Sequence, residues 1–167
     1  EARERGCLVG WDNRFGGELL GRSVADTLLE NGFKVYFCGE TTTGVLSAAL
    51  LELEAAFSVN LTPSHNPLDY GGYKFNAADG GPAASELTSI ITQKSRQRIN
   101  NPSAEGDAYA APRGALVETD SFALWQRLVD NNKDAHRVNY RSLLEEVAAR
   151  RRSTPSVMLE DEVEECT

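Results

Sequence analysis

Cysteine is scarce in this chain, and long apolar runs are missing. The 167 residues include three cysteines, Cys7, Cys38 and Cys166, whose spacing fits neither a zinc site nor a fully paired set of disulfides. Cys7 and Cys38 lie in apolar runs and are most simply small core residues in a reducing compartment. No apolar run approaches the roughly 18 residues of a membrane span, and the charged start shows no secretion signal. We therefore expect a cytoplasmic protein that does not contact membranes.

Basic residues are in deficit. The sequence has 17 Lys and Arg against 25 Asp and Glu, which gives a formal net charge of −8. Non-specific binding to nucleic acid requires a basic surface, so we expect no nucleic-acid partner. A small anion is not excluded, because its site needs only a few local cations. The apolar content of 41% is enough for the core of one ordinary domain.

Short apolar segments alternate with segments of helical periodicity. In the helical segment 19–29, Leu19, Leu20, Val24 and Leu28 recur at helical spacing. We predict strands at 6–10, 33–38, 57–61 and 73–76, helices at 19–29, 41–53, 82–99, 120–129 and 140–150, a loop at 100–114 and a further strand at 156–159. The alternation of strand and helix predicts an α/β layer domain.

Residues 62–67 read Thr-Pro-Ser-His-Asn-Pro and leave the end of a predicted strand, where open α/β sheets bind ligands. The two prolines pre-shape this loop, because proline fixes φ and removes an N–H group. A phosphorylated Ser64 would bear about two negative charges and need nearby cations, which His65 and Lys74 offer. The glycine pair 71–72 has no Cβ and would let a bulky anion approach the backbone. The pattern is typical of a serine that carries a phosphoryl group.

These segments resemble the phosphohexomutases, the phosphoglucomutase/phosphomannomutase family. Its serine loop reads T-x-S-H-N-P, then N-G-x-K after a spacer, and residues 9–15 look like its V-G-x-D-x-R element. The run from 72 to 83 is closer to phosphoglucomutases proper. The resemblance implies the three-layer α/β/α domain I of that family, with a mixed sheet. We expect this domain at 1–153, N-terminally truncated and lacking its first strand, with 154–167 either starting domain II or forming a disordered acidic tail.

The resemblance also implies an intramolecular phosphotransferase that converts glucose 1-phosphate to glucose 6-phosphate through a bisphosphate. Ser64 would carry the phosphoryl group, and His65 would contact phosphate or carry a proton. Lys74 would neutralise phosphate or assist proton transfer, while Arg14 and Asn66 would bind the substrate. Ser64, through its oxygen or its phosphate, would be one ligand of Mg²⁺. The implied activator is glucose 1,6-bisphosphate.

Each residue has a plainer interpretation. Ser64 suits a turn, and His65 could serve only to hold the loop shape. Asn66 could stabilise the loop through bonds to its backbone, and Lys74 could be a solvated surface lysine. Arg14 could form an ion pair with a neighbouring aspartate, Asp12, that braces a turn; otherwise it faces the serine loop.

The family's remaining machinery is not found in this sequence. There is no D-G-D-x-D-R element for Mg²⁺, no G-T-x-G-x-R-G segment, no sugar-reading loop and no phosphate-binding last domain. We expect these parts to come from the remaining domains of the same polypeptide, and the chain alone to be inactive. Phosphomannomutase, phosphoglucosamine mutase and a non-catalytic sugar-phosphate-binding domain are the alternatives. A serine hydrolase is disfavoured, because neighbours such as Ser64 and His65 point to opposite faces of an extended segment.

Overall fold

The computed structural model describes residues 1–101, 112–135 and 149. Within these residues the elements in chain order are α1 (Ala2–Arg5), β1 (Cys7–Trp11), α2 (Gly17–Glu30), β2 (Val35–Glu40), α3 (Thr43–Glu52), β3 (Phe57–Leu61), β4 (Lys74–Ala77), α4 (Ser85–Asn100), β5 (Leu116–Glu118) and α5 (Ser121–Ala135). The five strands form one sheet in the order β4-β3-β1-β2-β5. The sheet is mixed, because β4 runs antiparallel to β3 while the other neighbours are parallel. The predicted α/β fold with a mixed sheet is confirmed.

Helices cover both faces of the sheet, as the burial of the central strand β1 shows. All five residues of β1 are buried, as expected for a central strand with a layer on each side. Alternate side chains enter two separate clusters, because successive residues of a strand point to opposite faces. Cys7, Val9 and Trp11 pack with α2, whereas Leu8 packs with α3. The domain therefore has the three layers predicted.

Helix α2 packs through its smallest residues. Its buried positions are spaced four apart and lie along one row: Gly17, Gly21, Ala25 and Leu29. The indole of Trp11 occupies the space that a side chain at Gly17 or Gly21 would fill. Leu19 and Leu20, part of the predicted apolar pattern, are 74% and 56% exposed. The first half of the buried face of α2 is therefore formed by glycine beside the indole of Trp11, and its second half by Ala25 and Leu29.

Several departures from the prediction lie at the margins of the domain. Helix α1 and strand β5 are absent from the predicted elements, and β2 begins two residues later than predicted. Helix α4 has no buried residue, and its Leu87 and Ile90 are exposed. The face that carries these two residues is therefore only partly covered by the residues that the structure describes.

Both described cysteines are unpaired. Cys7 is fully buried and Cys38 is partly buried, and burial raises the pKa of each thiol to about 12. Both pack against the clusters on either face of the sheet, as expected for small core residues. Cys166 lies outside the described residues.

The chain divides into two compact units, residues 1–128 and 129–167. Of the second unit, residues 129–135 and 149 are described. The predicted domain boundary at 153, nearly all of the predicted helix 140–150, the strand 156–159 and the tail 154–167 lie outside the described residues and stay predictions. Across the described part of the chain, no helix combines the length and hydropathy that crossing a bilayer requires.

Candidate functional site

An open cavity of about 640 Å³ lies where the chain leaves β1, β2 and β3. These strands are parallel, so their carboxyl ends meet at one edge of the sheet. Ser64 and Lys74 both line this cavity, as does Arg14. His65 and Asn66 are exposed and do not line it. The structure thus brings together three of the five predicted site residues.

The serine loop holds its central residue in an unusual backbone conformation. Ser64 has a φ of +62°, in the left-handed region that non-glycine residues rarely adopt. Its N–H donates to the Thr62 hydroxyl oxygen at 3.1 Å. A Cβ at Gly72 would lie 2.5 Å from the Thr62 carbonyl oxygen and from the Pro63 Cα. The loop itself therefore requires glycine at position 72, whereas the space around Gly71 is open. That this glycine pair admits an anion stays a prediction.

Arg14 fixes the loop through the main chain. Its Nε donates to an Asp12 carboxylate oxygen at 3.0 Å, and its side chain is 13% exposed. Its terminal N–H groups donate to the carbonyl oxygens of Ser64, Asn66, Pro67 and Tyr70. Arg14 therefore both braces the turn with Asp12 and faces the serine loop. Its substrate contact stays a prediction, since these donors are engaged by the protein.

Asp12 links Arg14 to the loop electrostatically. Burial alone would raise the pKa of Asp12, but hydrogen bonds from the Thr62 hydroxyl and from Arg14 outweigh it and lower that pKa below its usual value. The carboxylate is thus held in its charged form. The Thr62 hydroxyl, which helps to lower the pKa of Asp12, also accepts from the Ser64 N–H, so Asp12 and Arg14 lie next to the serine loop.

Lys74 places a second cationic side chain, besides that of Arg14, at the cavity. It begins β4 and is partly buried. Among the residues described, its ammonium has no hydrogen-bond or ion-pair partner, unlike the guanidinium of Arg14. It is therefore available to a bound anion, whereas Arg14 is already occupied.

Asn60 was missed by the sequence reasoning. It lies on β3, is 1% exposed and lines the cavity. Its side-chain N–H donates to the Thr43 hydroxyl at 3.0 Å, while its carbonyl oxygen is buried with no partner in the described part of the chain. Polar Ser58 and Asn60 at alternate positions of an otherwise apolar strand were the available signal.

The strand order and helices define an α/β/α domain whose candidate site is the cavity beside the serine loop. Residues 1–101 match the profile of "Phosphoglucomutase/phosphomannomutase, alpha/beta/alpha domain I". A phosphoglucosamine mutase of Leuconostoc citreum is 34% identical over 65% of this chain and 25% of that protein. Another from Latilactobacillus sakei is 32% identical over 67% of this chain and 26% of that protein. The chain thus spans about a quarter of these relatives' length.

Solved structures agree on the fold. A proposed phosphomannomutase from Thermus thermophilus has a TM-score of 0.62 at 31% identity, over 75% of this chain and 27% of that one. A family protein from Burkholderia thailandensis has a TM-score of 0.53 at 24% identity, over 76% of this chain and 26% of that one. The chain belongs to the phosphoglucomutase/phosphomannomutase family and contains its α/β/α domain I.

Proposed function

We propose that this chain supplies the phosphoserine loop of a hexose-phosphate mutase, in which Ser64 carries the phosphoryl group. The observation behind this proposal is the position of Ser64. Its left-handed backbone sits in a loop braced by Arg14, beside a cavity whose lysine has no partner among the described residues. Strained backbone held by its surroundings clusters at functional sites.

In the proposed reaction, the Ser64 oxygen attacks one phosphorus of a hexose bisphosphate, and the sugar oxygen leaves with a proton. Phosphoserine then passes its phosphoryl group to a hydroxyl of a hexose monophosphate, which re-forms a bisphosphate and the free serine. Such transfers depend on in-line positioning and charge neutralisation. Lys74 would balance the negative charge of the phosphate. Arg14, by binding the loop carbonyl oxygens, would keep them away from the transferred phosphoryl group. The predicted roles of His65 and Asn66 in phosphate and substrate contact belong to the same proposal.

Mg²⁺ is part of the proposal, with Ser64 as the ligand from this chain. Mg²⁺ prefers octahedral oxygen ligation, and the residues described contain no cluster of three metal-type side chains. Asp12, which also lines the cavity, is paired with Arg14. The described residues at the cavity thus offer Mg²⁺ one oxygen ligand, from Ser64. The other ligands would come from the remaining domains of the same polypeptide. The bound ion would neutralise charge on the phosphoryl oxygens.

The identity of the sugar substrate is the most specific part of the proposal. The resemblance of 72–83 to phosphoglucomutases favours glucose 1-phosphate, with glucose 1,6-bisphosphate as activator. The names of the curated relatives favour glucosamine phosphate as the alternative, and that of the Thermus protein favours mannose phosphate. A cytoplasmic location without nucleic-acid or membrane partners completes the proposal, in keeping with the net charge of −8.

Turnover by the complete polypeptide tests the proposal. It should isomerise at least one of glucose, glucosamine and mannose 1-phosphates, and Ser64→Ala should abolish turnover. Ser95→Ala is the matched control, because the Ser95 hydroxyl donates to a carbonyl on α4, outside the cavity. Full turnover by Ser64→Ala contradicts the proposal. Tight sugar-phosphate binding with no turnover in the wild type supports the non-catalytic alternative.

A further inference from the structure

A hydrogen-bonded pair, buried Asn60 and partly buried Thr43, joins the sheet to α3 at the cavity beside the proposed phosphoserine. Asn60 donates from its side-chain N–H to the Thr43 hydroxyl at 3.0 Å. This contact leaves the carbonyl oxygen as the free end of the amide, buried and without a donor among the residues described. Buried polar groups are nearly always hydrogen-bonded, and leaving one unmet destabilises the fold. The unmet oxygen of Asn60 therefore calls for an explanation.

The strand register places a suitable donor opposite this oxygen. Asn60 on β3 pairs with Lys74 on antiparallel β4. Side chains of directly opposed residues share one face of the sheet, with Cβ atoms about 5 Å apart. Both residues line the cavity beside Ser64. The residue with the unmet acceptor and the lysine with the unpartnered ammonium, as far as the described residues show, thus occupy directly opposed positions of the sheet.

A sugar hydroxyl is a poorer partner for this oxygen. The oxygen itself is buried although Asn60 borders the cavity, so a bulky sugar ring does not reach it. A lysine chain is slender and flexible, and that of Lys74 starts from the same surface. Its ammonium has three N–H donors, enough for the Asn60 oxygen and two phosphate oxygens together.

We propose that Asn60 is a positioning residue for Lys74. When a phosphoryl group occupies the cavity, the Asn60 carbonyl oxygen accepts a hydrogen bond from the Lys74 ammonium and holds that ammonium beside Ser64. Thr43 fixes the amide so that the oxygen stays available. This inference rests on the proposed function, because it assigns Lys74 to the phosphoryl group on Ser64.

The test measures the single-turnover rate at which Ser64 of the complete polypeptide is phosphorylated by the bisphosphate of its preferred sugar. Asn60→Leu keeps the side-chain volume but removes the acceptor. We expect the rate to fall on the order of tenfold, as for loss of a charged hydrogen bond, with little change in the bisphosphate concentration for half-maximal rate. The melting temperature should change little, because the variant loses the unmet oxygen together with the hydrogen bond to Thr43. A merely structural role predicts a lower melting temperature with the rate loss.

Two companion variants isolate the effect. Ser58→Ala is the matched control: Ser58 is equally buried and its hydroxyl is unmet among the described residues, but it pairs with Asn76 rather than Lys74. It should leave the rate unchanged. Asn60→Ser stays polar but ends short of Lys74, so it should slow the reaction as Asn60→Leu does and serves if the leucine variant fails to fold.

A double-mutant cycle shows whether Asn60 acts through Lys74. In a Lys74→Met background, Asn60→Leu should cause no further slowing. Equal slowing in both backgrounds, or a full rate in the single Asn60 variants, overturns the inference while the proposed function stands. A wild-type protein whose Ser64 never gains phosphate overturns both.

Discussion

Ser64 and Glu54 are the non-glycine residues with positive φ in the described part of the chain. Glu54 follows the end of α3, where a left-handed residue commonly terminates a helix. Ser64 has no helix to end. Its conformation is maintained by Thr62, which bonds its N–H, and by Arg14, which bonds carbonyls along the loop. At the scale of single residues, backbone strain thus coincides with the proposed phosphoryl carrier.

The network behind the loop has a pH signature. Because the pKa of Asp12 is lower in the folded state than its usual 3.8, its charge stabilises the fold above pH 4, and this contribution is lost as pH falls through the folded pKa. Asp12→Asn should lower the free energy of unfolding at pH 7 by about 1–3 kcal/mol, as for hydrogen bonds to a charged group. Urea unfolding of both proteins at pH 7 and pH 3 checks this. The same difference at both pH values contradicts the assigned network.

Three of the residues predicted from the sequence, Ser64, Lys74 and Arg14, line the cavity, but their contacts were not predictable. The serine loop and Lys74 were recognisable because their motif is local and continuous. That the donors of Arg14 would go to main-chain carbonyls was not predictable, because it depends on how two distant loops meet. Asn60 escaped notice because its partners lie on other elements, Thr43 on α3 and Lys74 across the sheet.

At the scale of elements, α2 packs against β1 because a row of small residues on the helix accommodates a large indole from the strand. Trp11 projects from the end of β1 and packs against Phe37 of β2, with ring centroids 5.2 Å apart. The row of small residues on α2 lets the helix approach the indole closely. Close packing of this kind tolerates little added volume.

Gly21→Ala tests this packing. Alanine is favoured over glycine in helices by about 1 kcal/mol, but a Cβ at Gly21 would overlap the Trp11 ring. We expect a net loss of roughly 1–3 kcal/mol in the free energy of unfolding, measured by urea denaturation. Gly44→Ala on α3 is the matched control, because the space around Gly44 is open, and it should be neutral or stabilising. A Gly21→Ala protein as stable as the wild type refutes this packing.

Strong local patterns made most elements predictable. Strand β1 is apolar, and β3 is apolar apart from Ser58 and Asn60. Thr42 caps α3, with its hydroxyl accepting from the Val45 N–H. Strand β5 has three residues, all exposed, so it carries no periodic signal. It forms because the backbone of β2 offers hydrogen-bonding groups along its free edge. One such bond runs from the Val35 N–H to the Ala115 carbonyl oxygen at 2.8 Å. Such pairing comes from tertiary context rather than local sequence.

At the scale of the whole molecule, the sheet order assembles the site. Segments after β1, β2 and β3 border one cavity, although some fifty residues separate Arg14 from Ser64. The described residues supply a serine loop, a lysine and a bracing arginine, but not a metal-binding cluster. The chain also spans about a quarter of its relatives' length.

The isolated chain should therefore fail to turn over glucose, glucosamine or mannose 1-phosphate, whereas the complete polypeptide should act on at least one of them. The reason is that charge neutralisation and sugar binding would rest largely on other domains. A coupled assay of both proteins at equal concentration checks this, with circular dichroism to show that the isolated chain is folded. If the isolated chain turns over substrate nearly as fast as the complete polypeptide, the other domains are not required, and this prediction is wrong.

Phosphate on one serine is the central claim, and mass spectrometry reads it directly. The complete polypeptide is analysed intact and as peptides, before and after exposure to glucose 1,6-bisphosphate or its glucosamine and mannose counterparts. The account predicts a single added phosphoryl group on the peptide containing Ser64, lost when a hexose monophosphate is supplied. Sustained isomerisation with no phosphate ever present on Ser64 would contradict it.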